Sequence, residues 1–158
     1  MNFFKHLSKL KIGKATIKTP FFEIDFAIGD KDKDAAWILY IEIVTRIASQ
    51  QMADDEGDDK TALDSLFNIF KLTRELIKTS GRDCKEFSKI AIVILNLVLR
   101  PFLTKWHKGD DTKAHIENHH AEFRNDLHEV QDNMRIYTSI LAEMLELEDV
   151  TSFVMQTK

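Results

Sequence analysis

Two side chains near the middle of the chain have the types and spacing to act on a phosphate. Arg100 and His107 bound the segment RPFLTKWH, and Asn96 precedes Arg100 by four residues. In an unbroken helix, positions 96, 100, 103 and 107 lie along one face. A guanidinium binds a phosphate through paired hydrogen bonds, and an imidazole exchanges a proton near neutral pH. The spacing therefore predicts an anion site formed by Arg100 and His107, with Asn96 and Trp106 on the same binding face.

A structural role for Arg100 is the alternative. Pro101 has no N–H to give to the carbonyl four residues earlier, so the helix should kink or restart there. Arg100 could then cap the kink or pair with a buried carboxylate such as Glu42 or Glu75. Because an unpaired buried polar group costs about 1 to 3 kcal/mol, a buried Arg100 requires a partner in either role.

The same two residues resemble a known motif. In the HEPN ribonuclease family, an arginine and a histidine are separated by four to six residues on a late helix of an all-α bundle. Arg100 and His107 have six residues between them. The resemblance implies metal-independent RNA cleavage in a composite site at a dimer interface. His107 would take part in proton transfer, and Arg100 would stabilise the phosphate.

A second resemblance extends over roughly residues 10–145. A short β segment is followed by AAWILYIEIVTRIASQ, TALDSLFNIFKLTREL and LRPFLTKWH. This order resembles small bacterial helical proteins of unassigned function. The resemblance implies a component of a multi-gene phage-defence system, and it supplies no activity.

Three further side chains have the spacing of metal ligands. His115 and His119 share a helix face, and Glu122 follows one turn later. The alternative is a polar helix start, and we predict no metal and no cofactor. Cys84 has no histidine near it in the sequence, so nucleophilic catalysis has little support.

Lysines give the N-terminal segment a basic character. Lys5, Lys9, Lys11 and Lys14 alternate with Phe3, Phe4, Leu7 and Leu10, ahead of the first acid, Glu23. This basic arm is predicted to bind a protein partner, a nucleic acid or a membrane surface. The alternatives are an amphipathic end folded onto the rest of the chain, and pairing with the acidic run DDEGDD of a second copy.

Long helices are predicted to position these residues. The chain has only five Gly and two Pro in 158 residues, which disfavours folds with many turns. Apolar periodicity predicts helices over 35–52 and 61–79, a third from about residue 83, and a last one over 111–147. Trp37, Ile41, Val44 and Ala48 recur at helical spacing in the first. The third carries the apolar run Ile90 to Leu99, which is typical of a central helix.

The last helix has the most regular pattern. One set of residues recurs every seven positions, and a second set interleaves with it. These heptad residues are Ile116, Phe123, Val130, Tyr137 and Met144, with His120, Leu127, Met134 and Leu141. The pattern suits either packing within the chain or a helix dimer, and we expect packing within the chain because the central helix must be covered.

Residues 11–28 contain two alternating apolar runs on either side of Pro20, which predict a small β hairpin. The predicted fold is therefore mainly α. It is a single domain, 1–158, with the basic arm and the hairpin in 1–28 and a helical bundle of four long helices in 30–158.

Composition narrows the functional classes. The net charge of −4 makes the surface as a whole a poor match for nucleic acid. A single cysteine excludes an internal disulfide and fits a cytoplasmic location. The longest apolar run is well short of the roughly 20 residues that a bilayer span needs, so no transmembrane segment is expected.

We therefore expect a non-enzymatic interaction or accessory subunit. It would bind a protein partner, or a second copy, through the basic arm and the face around Arg100 and His107, and nucleic acid is a possible partner. One alternative is a HEPN-like metal-independent ribonuclease that uses Arg100 and His107. Another is an acidic regulatory protein that binds a basic partner.

Overall fold

The computed structural model describes residues 15–19, 22–26, 28–46 and 57–147. This part of the chain is mainly helical. The α-helices are α1 (Asp30–Val44), α2 (Asp59–Ser80), α3 (Lys85–Ile94), α4 (Arg100–Trp106), α5 (Thr112–Asn118) and α6 (His120–Met144). A π turn (Leu95–Leu99) joins α3 to α4, and short 3₁₀ turns lie at Gly81–Asp83 and Gly109–Asp111.

Two short strands precede the helices. β1 (Ala15–Thr19) pairs antiparallel with β2 (Phe22–Phe26), and Ile17 lies opposite Ile24. β1 contacts α6. The lysines of the basic arm, Lys5, Lys9, Lys11 and Lys14, lie outside the described residues.

A single buried carboxylate joins the starts of two helices. Asp32 is in the first turn of α1, and its Oδ2 accepts a hydrogen bond from the N–H of Gly29 at 3.1 Å. Its Oδ1 accepts one from the N–H of Phe87, in the first turn of α3, at 2.9 Å. Both helix starts have unpaired N–H groups and a partial positive charge, which a carboxylate satisfies.

Helix α2 begins and ends with residues suited to those positions. The Asp58 side chain accepts a hydrogen bond from the N–H of Thr61 at 2.6 Å. A hydrogen bond with the side chain of Thr61, followed by this backbone bond, lowers the pKa of Asp58. Gly81 follows the helix with φ +69, as its sequence position predicts.

The helix from Lys85 to Trp106 passes through Pro101 without stopping. The N–H of Arg100 donates to the carbonyl of Leu95, five residues back, so the turn before Pro101 is a π turn. Ile90 and Ile94 are fully buried, whereas Ile92 is 46% exposed. The expectation of a central helix covered all round is therefore wrong, because one side of it faces solvent.

The last predicted helix is interrupted at His119, which separates α5 from α6. The heptad residues from Phe123 to Met144 are buried, so this apolar seam packs inside the chain. His120 is the exception, because its side chain is 53% exposed. Its expected place in the seam is wrong, since the break at His119 ends the regular repeat.

The core lies between α1, α2, the 85–106 helix and α6. Its largest fully buried side chains are Trp106, Tyr137, Phe87 and Phe123. Within the described part, one helix, Lys85–Trp106, is long and apolar enough to cross a membrane, and half of its apolar window is buried inside the fold. A buried core helix meets the same test, so no clear transmembrane segment is present among these residues.

Candidate functional site

Arg100 and His107 differ in exposure, although the helix between them is unbroken. Arg100 is exposed at the start of α4, and its side chain has no hydrogen bond or ion pair within the described ranges. His107 follows the end of α4 and is half-buried, with its ring 4.7 Å from that of Phe67 on α2. The N–H of His107 still donates to the carbonyl of Leu103 at 2.8 Å, and the buried Leu103 lies between the two residues on this face.

Of the other two predicted binding residues, Asn96 is exposed and Trp106 is buried. Asn96 is exposed on the π turn. Trp106 has no exposed surface and lies in the core instead. Its Nε1 donates to Oδ2 of Asp126 at 2.8 Å, and its ring meets Phe123 edge-on at 5.1 Å. These internal contacts account for Trp106 without a ligand.

The carboxylates considered as partners of Arg100 are paired elsewhere. Glu42 binds Arg46 on the same helix, and Glu75 lies 2.7 Å from Lys78. Because Arg100 faces solvent, it needs no internal partner. The guanidinium is therefore exposed and without a partner among the residues that the structure describes.

A groove lies beside Pro101, between the 95–106 segment and the first half of α6. Its volume is about 200 Å³. Val98, Phe102 and Val130 form its apolar floor. Asp126, Glu129 and Asn133 of α6 lie along its polar edge. The groove thus offers hydrogen-bond acceptors next to apolar surface.

Lys105 also lines this groove, and its charge is already matched. Its Nζ lies 2.6 Å from Asp126 and 2.7 Å from Glu122. The hydrogen bonds that Lys105 donates to Asp126 and Glu122 raise its pKa. The exposed carboxylate of Glu129 has no ion pair in the part of the chain that the structure describes. The edge of the groove is therefore negatively charged.

A second group of charged residues meets where α2, α5 and α6 begin or end. Nε of the buried Arg124 lies 2.7 Å from Oδ1 of Asp59, and Nε2 of His120 lies 3.2 Å from Oδ2 of the same carboxylate. A cavity of about 280 Å³ adjoins them. Sequence reasoning missed this group, because 65 positions separate Asp59 from Arg124 and no local pattern links them.

The considered metal ligands have other neighbours. Glu122 binds Lys105, and Nδ1 of His119 lies 3.0 Å from the carbonyl of His115. No set of three or more His, Cys, Asp or Glu side chains within 28–46 and 57–147 is arranged to hold a metal ion. These histidines therefore form a ring contact, 4.8 Å between centroids, next to Trp106.

Cys84 is buried between α1 and α3. Burial, together with the negative charge of Asp32, raises the pKa of its thiol to about 11. The thiolate is the reactive form, so this cysteine is unreactive near neutral pH.

Large apolar side chains lie on the outward face of α1. Trp37 is 50% exposed, Ile38 is 45% exposed and Ile41 is 38% exposed. The periodicity that begins at Trp37 thus marks the outward side of the helix. The core side is formed by Ala35, Ala36, Leu39, Tyr40 and Ile43.

Comparisons with known proteins give no match: no protein-family model, no curated protein and no solved structure is significantly similar to the chain. Function is therefore inferred from the residues themselves.

Proposed function

We propose that this protein is a non-enzymatic interaction subunit that assembles through the outward face of α1. The finer architecture, a bundle of four long helices with an N-terminal hairpin, belongs to the same proposal. So do a cytoplasmic location and an accessory role in a bacterial defence complex, which follow from the sequence and the resemblance alone.

The outward apolar face of α1 carries this proposal. Trp37, Ile38 and Ile41 occupy positions i, i+1 and i+4, so they are neighbours on the helix surface. Isolated exposed apolar residues are ordinary, but a contiguous group of large ones typically marks an interaction surface. Three adjacent half-exposed side chains therefore support a protein contact on this face.

A second copy of the chain is the partner that we propose for this face. A helix ridge can pack on the same ridge of another copy about a two-fold axis. Because Arg46 near the end of α1 is already paired with Glu42, this contact would depend on the apolar residues themselves.

The Arg100 face and the basic arm remain proposed binding elements of this subunit. Arg100 supports this role because its guanidinium is exposed and has no partner among the described side chains. Within this proposal, Arg100 and the exposed Asn96 contact an acidic group of a partner. His107 contributes at most one edge of its half-buried ring.

Sedimentation velocity over a range of concentrations tests the α1 contact. We expect the wild-type mass to rise toward that of a dimer, and the double variant Trp37→Ser/Ile41→Ser to stay monomeric. Ile92→Ser is the matched control, because Ile92 is equally exposed but lies on α3. A wild-type protein that stays monomeric at every concentration, or an equal loss in Ile92→Ser, would contradict the proposal.

The HEPN-like ribonuclease is the second candidate. One observation favours it: Arg100 is exposed, as a residue shared across a dimer interface would be. The packing of His107 against Phe67 favours a structural role for that ring instead. Incubation of RNA with protein and chelator tests it. Cleavage that is lost in both Arg100→Ala and His107→Ala, with unchanged melting temperatures, would replace the interaction proposal.

A further inference from the structure

The groove beside Pro101 combines an apolar floor with an edge of hydrogen-bond acceptors. Val98, Phe102 and Val130 contribute apolar surface, and Asp126 and Glu129 contribute carboxylates on one side of α6. A ligand with an aliphatic or aromatic body and a positive charge would bury apolar area and keep an ion pair at the edge.

The two carboxylates that line the groove differ in their partners. Asp126 already accepts hydrogen bonds from Lys105 at 2.6 Å and from Trp106 at 2.8 Å. Glu129 is exposed, and its side chain forms no ion pair with any residue that the structure describes. An added cation would therefore meet the carboxylate of Glu129, whereas an added anion would be repelled by it.

We propose that this groove binds the basic arm, residues 1–14, of a second copy of the chain. The arm has the required chemistry, since Lys5, Lys9, Lys11 and Lys14 alternate with large apolar residues. Lysine stems pack along apolar surface while the ammonium group reaches a carboxylate. The arm of a second copy is the source that we propose, because the proposed function already brings two copies together.

This inference rests on the proposed function, because it names the chemistry by which one copy holds another. It uses a different surface, however, from the outward face of α1. The double variant Trp37→Ser/Ile41→Ser should weaken self-association and leave binding of the arm to the groove unchanged. The two proposals can therefore fail separately.

A fluorescent peptide of residues 1–14, MNFFKHLSKLKIGK, is the first probe. Its anisotropy on titration with dilute full-length protein should rise and saturate, and the affinity should fall in high salt. Glu129→Lys should weaken binding about tenfold or more, because it replaces the attracting charge by a repelling one. Glu143→Lys is the matched control: Glu143 is also exposed on α6 but lies about 21 Å along the helix. No binding, or equal weakening by both variants, would overturn the proposal.

Disulfide cross-linking tests whether the arm comes from a second copy. Protein carrying Lys9→Cys is mixed with protein carrying Asn133→Cys under mild oxidation, and heterodimers are separated on a non-reducing gel. Cys84 is buried and should stay out of the reaction. We expect heterodimers with Asn133→Cys and at least fivefold fewer with Glu143→Cys. Peptide binding without this difference would overturn the second copy as the source of the arm.

Discussion

Helices α1 and α6 use their apolar residues in opposite ways. In α6 the regularly spaced large residues, such as Phe123, Tyr137 and Leu141, are fully buried. In α1 Trp37 and Ile38 are about half exposed, in addition to the buried Leu39, Tyr40 and Ile43 on the core side. Periodicity alone does not show which side of a helix is buried when both sides are apolar. The surplus apolar surface on α1 is what points to an interaction.

The two helices also differ in how their ends are held. Asp32 near the start of α1 binds the backbone of a second helix, α3. The start of α6 is held by side chains instead, through Arg124 and Asp59. The start of α1 is therefore hydrogen-bonded to the start of α3, and the outward face of α1 takes no part in this contact.

The largest loss of stability is expected for a substitution in the buried face of α6. Phe123→Ala should lower the free energy of unfolding by about 3 to 5 kcal/mol, because it leaves a cavity next to Trp106 and Phe102. Urea denaturation followed by circular dichroism measures the change. A loss below 1 kcal/mol would mean that the seam of α6 is not the core.

Next in size is the buried carboxylate that joins α1 to α3. Asp32→Ala removes hydrogen bonds to two helix starts and should cost about 2 kcal/mol. The control is Asp34→Ala, since Asp34 is exposed on the same helix. Equal unfolding midpoints for the two variants would rule out this role for Asp32.

The outward face of α1 should contribute little to folding. Trp37→Ser should cost about 1 kcal/mol or less in dilute protein, because half of the ring is already in water. Phe123→Ala is measured in the same denaturation experiment. An equal loss in the free energy of unfolding for the two variants would contradict the difference between the outward face of α1 and the buried face of α6.

The smallest effect is expected for the ion pair that links α1 to the end of α6. Lys33 Nζ lies 2.8 Å from Glu146, and this contact lowers the pKa of Glu146. A lowered pKa means stability that is present above the pKa of the unfolded chain and lost as the pH falls. Glu146→Gln should therefore lower the melting temperature slightly at pH 7 and leave it unchanged at pH 3. A larger difference at pH 3 would contradict this sign.

Local signals predicted the helices well. Gly81 ends α2 as expected, because its φ of +69 suits glycine, and the seam of α6 follows from a seven-residue repeat. The predicted start of α1 was late: the helix begins at Asp30 rather than Ala35. Asp30 and Asp32 belong to its first turn, where the helix dipole favours negative charge.

The site residues were harder to predict, because contacts between distant residues leave no local trace. Asp32 and Phe87 are 55 positions apart, so no helical pattern in the sequence predicts the hydrogen bond between them. Arg100 and His107 have a motif-like spacing. The ring of His107 nevertheless packs against Phe67 of α2, a contact between distant residues that the spacing alone does not show.

The π turn before Pro101 also changes which residue numbers lie on the same face of the helix. An α-helix advances by about 100° for each residue, so one extra residue in a turn offsets everything that follows by about that angle. Deleting one residue between Leu95 and Leu99 would restore an ordinary α turn with Arg100 facing nearly the same way relative to Ile92, whereas an α turn that kept all five residues would rotate Arg100 by about 100°. The length of this turn is therefore a one-residue adjustment that decides which side chains of α4 share a surface with those of α3.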